Sequence, residues 1–276
     1  MKRLDDDSLG SAVSRFMRVT IREVGDWASG DVALVATTPA DAHLLGPGGG
    51  VRAGALLTMI DNVGGLSAGL ASLPDAWVVS TSMMLRTARL GAPGPLLMSS
   101  RVMRAGRTSV VAEVRVDGGD GLPVAGCVLT SAVLVPDGGA PEWDRPVSIR
   151  YGPDDAEDLP PILEWIGIRT ERTANGVVAI ADLTDALRNP WGILHGGVTA
   201  TLVDAAGEAA VQEVIGRPAA TADCALHYLA PGRVGPVAAD ATLLGKRPDG
   251  HVVRVDVHDL GADRLVAAAI TTVREV

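Results

Sequence analysis

Aromatic side chains are scarce: one Phe, two Tyr and five Trp make up 3% of 276 residues. A core cannot rest on large rings, so it must be built from Val, Leu, Ala and Ile, which favours sheet and Ala-rich helix. Cysteine is scarcer still. Cys127 and Cys224 fall in apparent strands of separate halves, which predicts buried reduced thiols rather than a disulfide or metal ligands. No apolar run is long enough to span a bilayer, and the start, Met1 to Asp7, lacks the apolar core of a secretory signal. The expectation is a soluble cytoplasmic protein with no membrane partner. Basic charge is in deficit, and a net charge of −9 argues against a nucleic-acid partner. His43, His251 and His258 show no metal-ligand spacing, so no metal is expected.

One stretch stands out: Asn189-Pro-Trp-Gly-Ile-Leu-His195-Gly196-Gly197, continuing to Asp204 and an Ala-rich run that ends near Gly216. Asn189, Pro190 and Gly192 read as a loop, so a helix should start at about His195 or Gly196. Its first turn offers free N–H groups backed by the helix dipole, and paired glycines let a ligand approach the backbone. Asp204 is flanked by Thr201, Leu202, Val203, Ala205 and Ala206, where burial excludes a carboxylate unless it has a partner or a task.

The chain also repeats itself. Val51-Arg52-Ala53-Gly54 through Asp61 aligns with Leu194-His195-Gly196-Gly197 through Asp204; Ser80 to Pro95 aligns with Thr221 to Pro236; Val110 to Asp117 aligns with Val252 to Asp259. The near-constant offset predicts two copies of one domain, at 12–136 and 162–276. Residues 137–161, rich in Pro, Gly and acid, read as a linker on which Trp143 could pack against a domain. Each copy reads as an opening strand pair (about Phe16 to Thr37, and Ile166 to Leu183), a Gly-rich loop, one long helix and a run of alternating strands. In the second copy these are Ala220–Leu229, Val237–Leu244, Val252–Leu260 and Leu265–Val273. Short turns between successive strands imply antiparallel pairing, with the helix buried against the sheet.

The Asn189/His195-Gly196-Gly197/Asp204 pattern resembles that of the hotdog-fold acyl-CoA thioesterases of the PaaI-like (phenylacetyl-CoA) type. The resemblance implies an α+β fold, here two tandem hotdog domains, with acyl-CoA as substrate and no cofactor beyond the CoA it carries. It also implies that Gly196 N–H and Asn189 polarise the thioester carbonyl, that Asp204 and its repeat partner Asp61 are bases or nucleophiles, and that Thr221 and Ser80 orient them. Gly197 would allow substrate to approach. The residues leave alternatives open. Asp204 could pair within the fold, His195 could orient its loop rather than move protons, and His227, opposite Arg86 in the repeat, could line a cleft or be structural. Lys246, Arg247, Arg104 and Arg107, on turns in matching places, could meet CoA phosphates or be solvated charges.

The first copy departs from the pattern, with Gly46, Arg52 and Ala53 where the second has Asn189, His195 and Gly196. A non-catalytic acyl-CoA or acyl-carrier binder therefore stays open, as do the acyl group and a homodimer of such chains. A hotdog hydratase is disfavoured, because Asp182 and Asp185 are followed five residues on by Leu187 and Pro190 rather than His. Helix geometry adds a constraint. Nine residues at about 100° each put His195 and Asp204 on opposite sides of their helix, about 13 Å apart along its axis. The complete site should therefore be composite, with Asn189 and Gly196 facing Asp61 and Ser80.

Overall fold

The computed structural model describes residues 11–26, 31–92, 94–135, 139–140, 142, 146–152, 159–174 and 176–276. The first half runs α1 (Ala12–Phe16), β1 (Thr20–Asp26), β2 (Asp31–Thr38), α2 (Ala53–Leu70), β3 (Trp77–Thr87), β4 (Leu96–Ala105), β5 (Ser109–Asp117) and β6 (Pro123–Leu134). After β7 (Ser148–Arg150) the second half follows with α3 (Ile162–Ile166), β8 (Arg169–Thr173), β9 (Gly176–Ala181), α4 (Gly196–Ile215), β10 (Ala219–Tyr228), β11 (Val237–Arg247), β12 (Gly250–Asp259) and β13 (Arg264–Glu275).

The strands form one sheet in the order β7-β1-β2-β4-β5-β6-β3-β10-β13-β12-β11-β9-β8, every pair antiparallel. Setting β7 aside, the order is a mirror of itself about the β3–β10 seam, where Arg86 to Ser82 pair with Asp223 to His227. Alternation drives the strands. In β12, Val253, Val255 and Val257 are buried while Arg254 faces water; β5 buries Val110, Ala112, Val114 and Val116 and exposes Arg115. His227 lies on the exposed face of β10.

The long helices are buried along most of their surface, which selects small residues where they meet. They pack antiparallel. A side chain on Gly54 would stand 2.5 Å from the Thr201 backbone, and one on Gly197 would strike the Thr58 side chain. Gly197, expected to admit substrate, is thus a helix-crossing residue, and its N–H is used by its own turn.

Two expectations about boundaries need correction. Phe16 and Ile166 close one-turn helices instead of opening strands: Ser11 caps α1 by accepting the Ser14 N–H, and Phe16 stacks on Trp165 of α3 with centroids 4.4 Å apart. Ser148–Arg150, placed in the linker, forms an edge strand on β1. Trp143 lies outside the described residues. Among those described, no helix is long and apolar enough to cross a membrane, and both cysteines are buried free thiols. Burial pushes the Cys127 thiol up to about 12, so it is inert packing rather than a nucleophile.

Candidate active site

The antiparallel crossing sets the start of each long helix beside the middle of the other. At one end, Gly196 opens α4 opposite Asp61 of α2; a side chain on Gly196 would stand 3.1 Å from Asp61 Oδ2. The Gly196 N–H makes no hydrogen bond among the described residues. His195 is the helix cap: its Nδ1 accepts the Gly197 N–H at 3.0 Å. Its proton therefore sits on Nε2. Burial lowers the His195 pKa to about 4, so the ring is neutral and orients the turn.

Asp61 accepts from Ser80 Oγ at 2.6 Å through Oδ1, which leaves Oδ2 facing the start of α4. Burial raises the Asp61 pKa, and the Ser80 hydroxyl, which stabilises the anion, pulls partly the other way. A base must be ionised to work, so activity should fall with acid through a pKa above the ordinary carboxylate range. Ser80→Ala should move that limb to higher pH; a kcat/KM profile whose acid limb does not move would remove Ser80 from this role.

Asn189 holds the loop before α4. Its Oδ1 accepts from Trp191 N–H at 3.0 Å and Ile193 N–H at 3.3 Å, while its Nδ2 makes no hydrogen bond among the described residues. Tyr228, on β10, carried no signal in the sequence. Its hydroxyl donates to the Gly196 carbonyl at 3.0 Å, and burial, with Asp61 nearby, raises its pKa well above 10. It stays a neutral phenol that fixes the first peptide of α4.

The opposite end is built from the same repeat and behaves differently. Asp204, expected as a base, is 1% exposed and engaged: Oδ2 accepts from Arg52 Nε at 2.8 Å and from Gly54 N–H at 3.1 Å. Arg52 also donates through Nη2 to Glu208 at 2.6 Å. Burial opposes the Arg52 charge, but Asp204 and Glu208 outweigh it and raise its pKa, so the guanidinium is a permanent plug. Thr221, expected to orient Asp204, makes no hydrogen bond to it; its N–H donates to Glu208 Oε1 at 3.3 Å and its hydroxyl has no hydrogen-bond partner. Four residues after each Asp, on the same helix face, the first copy has Gly65 and the second Glu208. A side chain on Gly65 would stand 3.6 Å from Asp61 Oδ1, so its absence leaves room beside that carboxylate.

Burial and the Asp204 charge raise Glu208 well above the usual carboxylate range, with Arg52 opposing. The folded state thus holds a proton that an unfolded Glu loses as pH rises through about 4.5. This contribution to stability is complete below that pH and disappears as pH rises through the folded pKa. Glu208→Gln should flatten that part of the Tm–pH curve; an unchanged slope would show that Glu208 is not the group responsible.

Register places the cations. Ser80 pairs with Ser131, Ser131 with Val110 and Val110 with Ala105, so the turn of Arg104 and Arg107 lies three strands, about 14 Å, from Ser80. By the same count, Thr221 pairs through Val273 and His251 to Lys246. Lys246 and Arg247 therefore lie at the Thr221 end of the sheet, where Arg247 pairs with Asp249 at 3.0 Å.

Residues 192–265, from the loop through α4 into β13, match the family model of the Thioesterase superfamily. No curated protein matches the chain. Among solved structures, acyl-CoA thioesterase II of Mycobacterium marinum superposes with a TM-score of 0.62 at 13% identity, over 96% of this chain and 98% of that one. A candidate thioesterase II of Thermobifida fusca YX gives 0.60 at 18% identity, over 97% and 99%. An acyl-ACP thioesterase of Bacteroides thetaiotaomicron gives 0.56 at 11% identity, over 88% and 98%. At these identities the likeness establishes the fold, a hotdog sheet wrapped on long helices. With the superfamily match, it supports a thioester hydrolase.

Proposed function

We propose that the chain hydrolyses acyl-CoA to free acid and CoA at one composite site, and that it is a PaaI-like enzyme made of two hotdog units in tandem, 12–136 and 162–276. The observation that carries this is the meeting of Asp61 with the open N-terminus of α4, with Ser80 on one carboxylate oxygen and the other facing Gly196. The thioester oxygen accepts from the Gly196 N–H, with the free Asn189 amide as second donor. Water held at Asp61 Oδ2 loses a proton to the carboxylate as its oxygen adds to the carbonyl. The tetrahedral oxyanion then collapses, the C–S bond breaks, and the proton on Asp61 passes to the departing thiolate. A thioester has little resonance to lose, so one base and an oxyanion site suffice. Desolvation makes Asp61 a stronger base than a surface Asp.

Thiol release from a panel of acyl-CoAs tests the reading. Turnover is expected, whereas saturable binding without thiol would establish a binder instead. Tyr228→Phe removes one hydrogen bond to the Gly196 peptide, worth about 1 kcal/mol, so kcat should fall about fivefold with little change in KM. An unchanged kcat would leave the phenol without a role in the site. Arg104 and Arg107 replaced together by Ala should raise KM for acyl-CoA several-fold at constant kcat, and Lys246 and Arg247 replaced together should change neither. The reverse pattern would place the carrier at the other end of the sheet.

A further inference from the structure

The water-facing side of the sheet carries an apolar row across its centre. At the seam, Met84 of β3 pairs with Ala225 of β10; on its other side Met84 pairs with Val128 of β6, and Ala225 with Ile270 of β13. Met84 is 45% exposed, Ile270 43% and Val128 39%. Two residues along the seam in one direction, the same face carries Arg86 and Asp223; two residues in the other it carries Ser82 and His227. A lone exposed apolar side chain is ordinary. A contiguous band across four strands, with polar margins above and below, has the layout of an interface core and its rim.

The row ends in charges of opposite sign. Val128 pairs with Glu113 of β5, and Ile270 with Arg254 of β12. Within the chain Glu113 meets Arg101 at 3.1 Å and Arg254 meets Asp256 at 2.9 Å. Both are solvent-accessible ion pairs, which contribute little, so Glu113 and Arg254 can also reach outward at small cost. The band therefore complements itself when reversed: acid meets base at each end, and branched aliphatic side chains meet between them.

We propose that this face is the interface of a homodimer, in which a second copy of the chain packs sheet against sheet about a two-fold axis running along the strands at the β3–β10 seam. Such an axis reverses the row. Glu113 then faces the partner's Arg254, Arg86 faces the partner's Asp223, and Met84 faces the partner's Ala225, a long side chain against a short one, with every contact made twice. An axis running across the strands would instead oppose Glu113 to the partner's Glu113 and Arg254 to the partner's Arg254, and like charges disfavour it. A sheet wrapped on helices is convex outward, so the gap between two such sheets widens away from the seam. The longer charged side chains stand there. Nothing in this assembly depends on the hydrolase reading.

Sedimentation velocity of the full-length chain at physiological salt and micromolar concentration tests it. The unaltered chain is expected to sediment as two chains per particle. Met84→Lys, which brings two cations together beside the axis, should weaken the dimer about thirtyfold or more, the scale for loss of a central contact, with circular dichroism unchanged. Glu113→Arg and Arg254→Glu should each weaken it about tenfold, since each reversed contact occurs twice. Combining the two in one chain should restore association, because the pair re-forms with its signs exchanged. A chain that stays monomeric overturns the proposal and leaves the face to a partner of another kind. A dimer that persists in folded Met84→Lys overturns it as well, and reversals whose combination fails to restore association overturn the assigned axis.

Discussion

Asp61→Asn lowers kcat for acyl-CoA hydrolysis by about a hundredfold or more, the scale expected for loss of a general base, and leaves KM and Tm near their starting values. The amide oxygen can still accept the Ser80 hydroxyl now bonded to Oδ1 at 2.6 Å, so the geometry is kept while the proton acceptor is lost. Stability should hold or improve. Burial raises the Asp61 pKa, which means that the ionised form is disfavoured in the folded state near neutrality, and a neutral isostere removes that penalty. Thiol-release kinetics beside a thermal melt check both halves. A loss of activity explained by a fall in Tm would make Asp61 a structural residue.

Arg52→Ala has the opposite signature. It leaves two carboxylates, Asp204 and Glu208, without the cation that bonds both, at a site where each of the three side chains is no more than 5% exposed. Breaking a buried pair on one side typically destabilises by about 3–5 kcal/mol, or roughly 10 °C of Tm for a chain of this size. Turnover per folded molecule at the Asp61 end should survive. Replacing all three together with apolar residues of similar volume should recover most of the loss, because the cluster's desolvation penalty goes with it. A single Arg52→Ala change with an unchanged melt would mean that the triad contributes no net stability.

The part of this architecture legible in the sequence is the part written in periodicity. Alternation in stretches such as Val252 to Asp259 marks strands, the breakers before His195 mark the start of α4, and the offset between Asp61 and Asp204 marks the two halves. Helix geometry, which separates His195 from Asp204, already required the acid to come from the other helix, and Asp61 lies there. Contacts between distant residues were hidden. Arg52 was visible as a departure from His195, but its bond to Asp204 spans 152 residues and has no local pattern. Tyr228 reaches Gly196 from a strand whose register no spacing announces. The short helices ending at Phe16 and Ile166 carry no periodic signal, because one turn is too brief for a 3.6-residue period, and what holds the first is a serine cap and a ring stack. Gly65 against Glu208, four residues after each Asp, is the local sequence difference that separates the open end from the plugged one.

The most direct measurement is acyl-CoA thiol release per folded chain for Asp61→Asn and Asp204→Asn side by side, with the folded fraction read from the melt of each. The composite site predicts near-complete loss with Asp61→Asn at an unchanged Tm, and turnover within a few-fold of the unaltered chain with Asp204→Asn at a lowered Tm. The reverse ranking, with Asp204→Asn inactive while folded and Asp61→Asn active, would contradict the assignment of the base to the first half.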